Sequence, residues 1–389
     1  MEKCSNKYSK PRCEEIVRFI KNEYNRKKIS LHEPRLLGRE MEYLWRCIDT
    51  GYVSSVGEFV VDVEKDIASY TGAKYAVAMC SGTAALHMAL MCAGVKADDE
   101  VITQPLSFVA TANAISYLGA SPIFVDVDMD TMGMSPKSLS DFLDLHCVKR
   151  YGKCYNKHTN KHISACVPMH TFGMVCQIDE IAQICQSWGI MLIEDAAEGI
   201  GSKYKDIHCG RFGLAGVFSF NGNKVITSGG GGMLITDDET LAKRAKHLST
   251  TAKIPHLYEY DHDEIGYNYR MPNLNAALLK AQIENLDLCL MSKRRQAERY
   301  AKFFETMGIK FINEPIECNS NYWLMGIILE DRNKRDELLE FANDNDVMMR
   351  PAWKLLSQLK MYKNCMKDSN QNAKYLVDRI VCLPSGVLS

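Results

Sequence analysis

The chain has 389 residues, of which 46% are hydrophobic and 24% charged, and its 47 basic and 48 acidic side chains leave a formal net charge of −1. That is the composition of a globular protein with room for one large core and a smaller satellite, and so even a charge balance carries no footprint for nucleic acid. No apolar run approaches a membrane span, the polar start Met1-Glu2-Lys3-Cys4-Ser5 lacks a signal core, and the 15 cysteines are scattered with no Cys-x-x-Cys pair, so the expectation is a cytoplasmic protein with buried free thiols.

The first 33 residues read as an N-terminal segment, and the region to about residue 70 as helical and polar. From about 75 to 237 short apolar runs alternate with helical spacing. The runs at 75–80, 100–104, 122–127, 165–169, 190–194, 217–220 and 233–236 predict strands, and the stretches 83–94, 108–118 and 178–188 predict helices. This alternation implies a mostly parallel sheet with helices on both faces, whose functional groups lie at strand ends in the loops leading to helices. The lysine-rich segment 148–161 reads as a surface insertion. Cys147, Cys154, His158 and His162 around it offer ligand atoms, but their spacing matches no familiar zinc site, so no metal is expected. Beyond about 285 the pattern changes to a charged helix at 287–307, a strand at 322–329, a helix at 332–345 and a strand-like piece at 347–351. The expected organisation is therefore an N-terminal segment over 1–33, a large α/β domain over 34–284 and a small C-terminal α/β domain over 285–389, without internal repeats.

Several polar groups stand at the predicted strand ends. Cys80-Ser81-Gly82-Thr83-Ala84-Ala85-Leu86 closes one strand and opens a helix, where exposed backbone N–H groups favour an anion such as phosphate; a simple N-cap by Ser81 or Thr83 is the alternative. Phe108 follows the next strand and is read either as a ring-stacking aromatic or as a core residue. Asp195 ends the apolar run of Ile193-Glu194-Asp195-Ala196-Ala197-Glu198; it can hold a heterocyclic nitrogen protonated, or cap a helix with Glu198 completing a capping box. Ser219 precedes Lys224, which an apolar segment delivers into a polar turn running to Gly229-Gly230-Gly231-Gly232. A lysine that forms a Schiff base and an aspartate facing a pyridinium nitrogen are the two groups that pyridoxal phosphate (PLP) chemistry requires. The loop Gly266-Tyr267-Asn268-Tyr269-Arg270-Met271-Pro272 adds Asn268 and Arg270 as anion ligands, or Arg270 as a salt-bridge partner at a domain junction.

Taken together, Gly82-Thr83, Phe108 with Thr111-Ala112-Asn113, Glu194-Asp195-Ala196-Ala197, Ser219-Phe220 through Lys224 with its glycine run, and Asn268-Tyr269-Arg270-Met271 resemble the DegT/StrS family of nucleotide-sugar aminotransferases, in order, from about residue 31 to 384. The resemblance implies an α/β protein of PLP fold type I, in which 34–284 is the PLP-binding domain, working as a homodimer with shared active sites. It implies Lys224 and Asp195 as catalytic residues, Phe108 against the ring, Gly82, Thr83 and Ser219 at the phosphate, Glu198 facing the ring's 3-hydroxyl, and Asn268 reaching the neighbouring subunit's cofactor. Glu198 departs from the Gln or His common in the wider family at that place. Leu31-His32-Glu33-Pro34, Pro168-Met169-His170-Thr171-Phe172-Gly173, Asp263-Glu264-Ile265 and Met349-Arg350-Pro351-Ala352-Trp353 resemble the branch that acts on UDP-2-acetamido-2,6-dideoxy-4-hexulose in legionaminic-acid or bacillosamine pathways, as for bacterial surface glycans. That branch implies His170 and Arg350 as substrate contacts, and glutamate is the expected amino donor. The competing expectations are a same-fold aminotransferase acting on GDP-4-keto-6-deoxymannose or a 3-keto sugar, and a non-enzymatic regulator on a PLP fold.

Overall fold

The structure, a computed structural model, describes residues 9–388. Seven strands form its central path: β1 Tyr75–Met79, β2 Glu100–Thr103, β3 Ser121–Phe124, β4 His162–Val167, β5 Met191–Asp195, β6 Ala215–Ser219 and β7 Gly232–Thr236. They stand in the order β1-β7-β6-β5-β4-β2-β3. The pairings from β6 across to β3 are parallel, whereas β7 runs antiparallel to both β1 and β6.

Alternate residues of these strands enter two separate cores, as a pleated backbone requires. Val77, Ile193, Val217 and Leu234 pack with the helices Gly82–Cys92, Val109–Tyr117 and Glu239–Ser249 on one face. Ala78, Leu192, Phe218 and Met233 belong to a larger core on the other, with Ile178 and Ile181 of the helix Ile178–Trp188. Burial on both faces is why the strands read as continuous apolar runs.

The segment taken for a surface insertion is instead a hairpin, Cys147–Arg150 with Lys153–Asn156, that extends the sheet through β4. Its cysteines point into the core, His158 pairs with His146 at 3.0 Å, and His162 lies 3.4 Å from Asp99, so the four candidate ligands do not converge. None of the described cysteines is in a disulfide, and most are buried.

The C-terminal unit carries an antiparallel sheet of Lys310–Phe311, Met325–Ile328, Ile380–Leu383 and Arg350–Pro351, in that order, covered by the helices Leu286–Thr306 and Arg332–Asp344. The strand expected from 322 begins only at Met325, because Tyr322 sits at φ 47°, a left-handed conformation that breaks an extended run. The N-terminal helix Ser9–Tyr24 docks on this unit: Phe19 stacks on Phe303 with centroids 3.8 Å apart, and Ile29 bridges to Val347. Among the described residues no helix is long and apolar enough to cross a membrane.

Candidate active site

A cavity of about 290 Å³ opens at the carboxyl ends of the parallel strands, where helices and loops take over from the sheet. Gly82, Thr83, Phe108, Asp195, Glu198, Ser219 and Lys224 all line it. Seven residues from four chain segments thus meet in one concave site.

The floor is built at the end of β1. Ser81 caps the helix Gly82–Cys92 by accepting a hydrogen bond from Ala84 N at 3.1 Å, so the capping alternative holds for Ser81 while Gly82 and Thr83 stay at the cavity wall. A Cβ on Gly82 would sit 2.9 Å from the Cβ of Ser219, and one on Gly232 only 2.3 Å from Ser81 O. Glycine at these two places lets three strand ends close around a helix N-terminus, which favours an anion.

Asp195 is buried at the tip of β5. Its Oδ2 accepts from Thr111 Oγ1 at 2.6 Å and its Oδ1 from Ala197 N at 3.2 Å. Burial pushes its carboxyl above the usual range, against the pull of these hydrogen bonds and of Lys224 and His170. No helix follows Asp195, so a capping box does not form. Glu198 Oε2 instead accepts from Phe172 N at 2.9 Å, and its Oε1 lies 3.5 Å from Lys224 Nζ. Burial raises the Glu198 carboxyl to about 7, with Lys224 opposing the rise.

The Lys224 side chain is 11% exposed, and its Nζ lies 4.0 Å from the centroid of the Trp323 ring. Trp323 is fixed in turn by donating from Nε1 to Asn223 O at 2.6 Å. The indole face attracts the amine electrostatically, in addition to its pairing with Glu198. Phe108 stands 51% exposed at the rim.

Three expected residues lie elsewhere. His170, expected to touch substrate, is fully buried: its Nε2 is 3.0 Å from Glu194 Oε2, and its Nδ1 accepts weakly from Cys176 N at 3.4 Å. Both ring nitrogens are used inside the core, so it supports the strand end and is not part of the cavity wall. Arg350 is exposed at a second cavity that shares Asn223, Trp323 and Trp353 with the first. Asn268 is exposed, accepts from Arg270 Nε at 3.0 Å, and is not part of its own chain's cavity wall.

Sequence reasoning gave no role in the site to Trp323 and Trp353, which the small unit contributes to the wall, or to Thr111, which orients Asp195. The signal for the tryptophans was their rarity, four in the chain. Among the described residues one set of candidate metal ligands gathers, His247, Asp263 and Glu264, but Arg244 already pairs with Glu264.

The donor set fits PLP. A helix N-terminus with Thr83 and Ser219 suits its phosphate, a buried carboxylate suits its ring nitrogen, and a lysine amine beside an aromatic wall suits its aldehyde.

Comparison with known proteins agrees with this chemistry. Residues 35–388 match the pattern of the DegT/DnrJ/EryC1/StrS aminotransferase family. EpsN of Bacillus subtilis (strain 168), described provisionally as a pyridoxal phosphate-dependent aminotransferase, is 36% identical over 365 residues, covering 92% of this chain and 91% of EpsN. The GDP-perosamine synthase of Escherichia coli O157:H7 is 36% identical over 336 residues, 86% of this chain and 87% of that one. Among solved structures, a DegT DnrJ EryC1 StrS aminotransferase from Brucella abortus superposes with a TM-score of 0.81 at 27% identity, covering 89% of this chain and 90% of that one. Helicobacter pylori PseC, an aminotransferase of pseudoaminic acid biosynthesis, shares the fold with a TM-score of 0.83 at 22% identity over 92% and 94% of the two chains.

Proposed function

The chain belongs to the DegT/DnrJ/EryC1/StrS aminotransferase family, and from that premise we propose that it is a PLP-dependent sugar aminotransferase that moves an amino group from glutamate to the 4-keto carbon of a nucleotide-linked 6-deoxy sugar. The observation that carries this reading is the meeting of Lys224 Nζ, the Asp195 carboxylate and the helix N-terminus at Gly82 on one cavity. PLP, when bound, supplies the electron sink that lets an amino group leave one carbon and join another.

In this reading the protein's own groups divide the work. Lys224 Nζ stands at the aldehyde end of the site and would carry the proton from the donor's Cα to the cofactor carbon that takes up the nitrogen. Asp195, its oxygens fixed by Thr111 and Ala197, keeps a proton on the ring nitrogen. Glu198, within 3.5 Å of Lys224 and with a carboxyl pushed up to about 7, accepts or gives a proton close to neutral pH. Gly82, Thr83 and Ser219 would bind the phosphate, and Phe108 would pack on the ring. Trp323 and Trp353 wall the site and exclude water from the reacting bonds. Arg350, in the small unit, contacts substrate.

We propose further that the enzyme is a homodimer in which Asn268 of the partner subunit completes each phosphate site. The exposure of Asn268, and the exposed apolar side chains Trp45, Ile48 and Val56, support a partner surface. For the substrate, the motifs at Leu31 to Pro34 and Met349 to Trp353 support a UDP-2-acetamido-2,6-dideoxy-4-hexulose, destined for a surface glycan or nonulosonic acid. A second reading, a GDP-linked 4-keto-6-deoxy sugar, is favoured by the relatives named GDP-perosamine synthase, 32% to 36% identical. Incubation with glutamate and a panel of UDP- and GDP-linked 4-keto sugars, read by mass spectrometry, separates the two. Faster amination of the UDP-linked N-acetyl sugar is expected; a clear preference for the GDP-sugar would replace that substrate and keep the chemistry, and no amination of any sugar would refute the function.

A further inference from the structure

The second cavity, about 500 Å³, is lined by His32, Phe172, Trp323, Arg350 and Trp353 among others, and no acidic side chain contributes to its wall. Its charges are all positive or potentially so. Arg350 donates from Nη1 to Asn343 Oδ1 at 3.1 Å and to Met349 O at 3.3 Å, both neutral acceptors, so its charge has no counter-ion among the described residues.

Behind the wall lies a second uncompensated cation. Lys293 is fully buried and directs Nζ at His32 Nε2 (3.1 Å), Trp323 O (3.2 Å) and Ser385 O. None of these is a carboxylate, and a buried ammonium without one is expensive; its burial pushes Lys293 down to about 7. An ammonium only donates. With Lys293 protonated, Nζ donates to all three partners, so His32 Nε2 accepts and the imidazole proton sits on Nδ1. That Nδ1 is buried and has no hydrogen-bond partner. Burial and the charges of Lys293 and Lys224 hold His32 neutral. A cavity beside the reacting lysine thus has a guanidinium at its exposed edge, an ammonium behind it, and a histidine with an orphaned N–H in its wall.

We propose that this cavity is the carboxylate subsite for the amino donor, with Arg350 meeting the anion at the edge and His32 Nδ1–H donating to it from the wall. The subsite rests on the transaminase reading and assigns its donor chemistry, a carboxylic amino acid whose aliphatic part lies along Trp323 and Trp353. An anion there supplies the acceptor that His32 lacks and the counter-charge that Lys293 and Arg350 lack. Lys293 acts through His32 and is a positioning residue.

The test uses holoenzyme and glutarate, a dicarboxylate with no amine to transfer, titrated by calorimetry. His32→Phe and Arg350→Gln should each weaken glutarate about 10-fold or more, the loss expected for one charge-assisted hydrogen bond. His32→Asn, whose amide N–H falls near the place of Nδ1–H, should stay within about 3-fold of wild type, since a donor remains to meet the anion. In single turnover His32→Phe and Arg350→Gln should both need correspondingly more glutamate, and His32→Phe should leave the concentration dependence of the keto-sugar half-reaction as in wild type. UDP, titrated in parallel, should bind all variants alike. Unchanged glutarate affinity in both variants would overturn the subsite, as would no measurable binding to wild type or an equal loss for UDP or, in His32→Phe, for the keto sugar. Arg350 is exposed, so its variant keeps the test decisive if His32→Phe folds poorly. A wild-type enzyme that aminates no sugar would instead overturn the transaminase reading itself, a separate result.

Discussion

Glu198→Gln isolates the electrostatics of the cavity from its chemistry. The Glu198 carboxyl is fully enclosed, accepts a single backbone hydrogen bond, and faces Lys224 across 3.5 Å. Its acidity is weakened from the ordinary 4.5 to about 7, chiefly by loss of water. Below pH 4.5 the group is protonated in both folded and unfolded chains and favours neither. As pH rises from 4.5 towards 7 the unfolded chain releases its proton while the folded chain keeps it, so folding loses stability across that window and the loss levels off above 7. With these two values the wild type loses on the order of 2–3 kcal/mol between pH 5 and pH 8 through this one group. Glutamine cannot titrate and can still accept from Phe172 N. The stability of Glu198→Gln relative to wild type should therefore improve by about that amount between pH 5 and pH 8, measured by urea unfolding of cofactor-free protein. A difference that does not change with pH would mean that Lys224 holds Glu198 ionised throughout, and would refute the argument from burial.

Three further perturbations address single roles. Asp195→Asn keeps the Thr111 contact but removes the charge, so single-turnover reaction with glutamate should slow on the order of 10²-fold or more while some PLP stays bound; unchanged kinetics would remove Asp195 from its assigned role. Mixing inactive Lys224→Ala and Asn268→Ala proteins should restore activity, because a mixed dimer has one site carrying both defects and one carrying neither; no recovery despite proven subunit exchange would return Asn268 to its own subunit. His170→Ala should cost about 1–3 kcal/mol in unfolding experiments by leaving buried groups unpaired, with the KM for sugar unchanged; a raised KM without loss of stability would restore His170 as a substrate contact.

The strand-end logic made most of this site legible in the sequence. Asp195, Ser219 and Lys224 lie where short apolar runs stop, and a parallel sheet brings such stops to one edge whatever their separation along the chain. The continuous burial of β2 and β7 made the strands themselves readable. What lay hidden depends on contacts between distant segments. Trp323 looked like the start of a strand, and only the left-handed turn at Tyr322 throws it across Lys224. His170 sits in a polar-aromatic motif at a strand end as the cavity-lining residues do, yet its ring turns inward to Glu194, a direction that local pattern does not encode. The hairpin at 147–156 was obscured because its lysine-rich edge reads as loop while its buried cysteines are too few to declare a strand.

The central claim is that this cavity transfers an amino group to a sugar through Lys224. It is tested most directly by incubating wild type and Lys224→Ala with PLP, ¹⁵N-labelled glutamate and the UDP-linked 4-keto-6-deoxy-N-acetyl sugar, and reading the sugar product by mass spectrometry. The account predicts that wild type exchanges the carbonyl for an amine carrying the label, with 2-oxoglutarate formed in equal amount, and that Lys224→Ala, folded as wild type by circular dichroism, yields none. Labelled amino sugar formed by Lys224→Ala at the wild-type rate would contradict it.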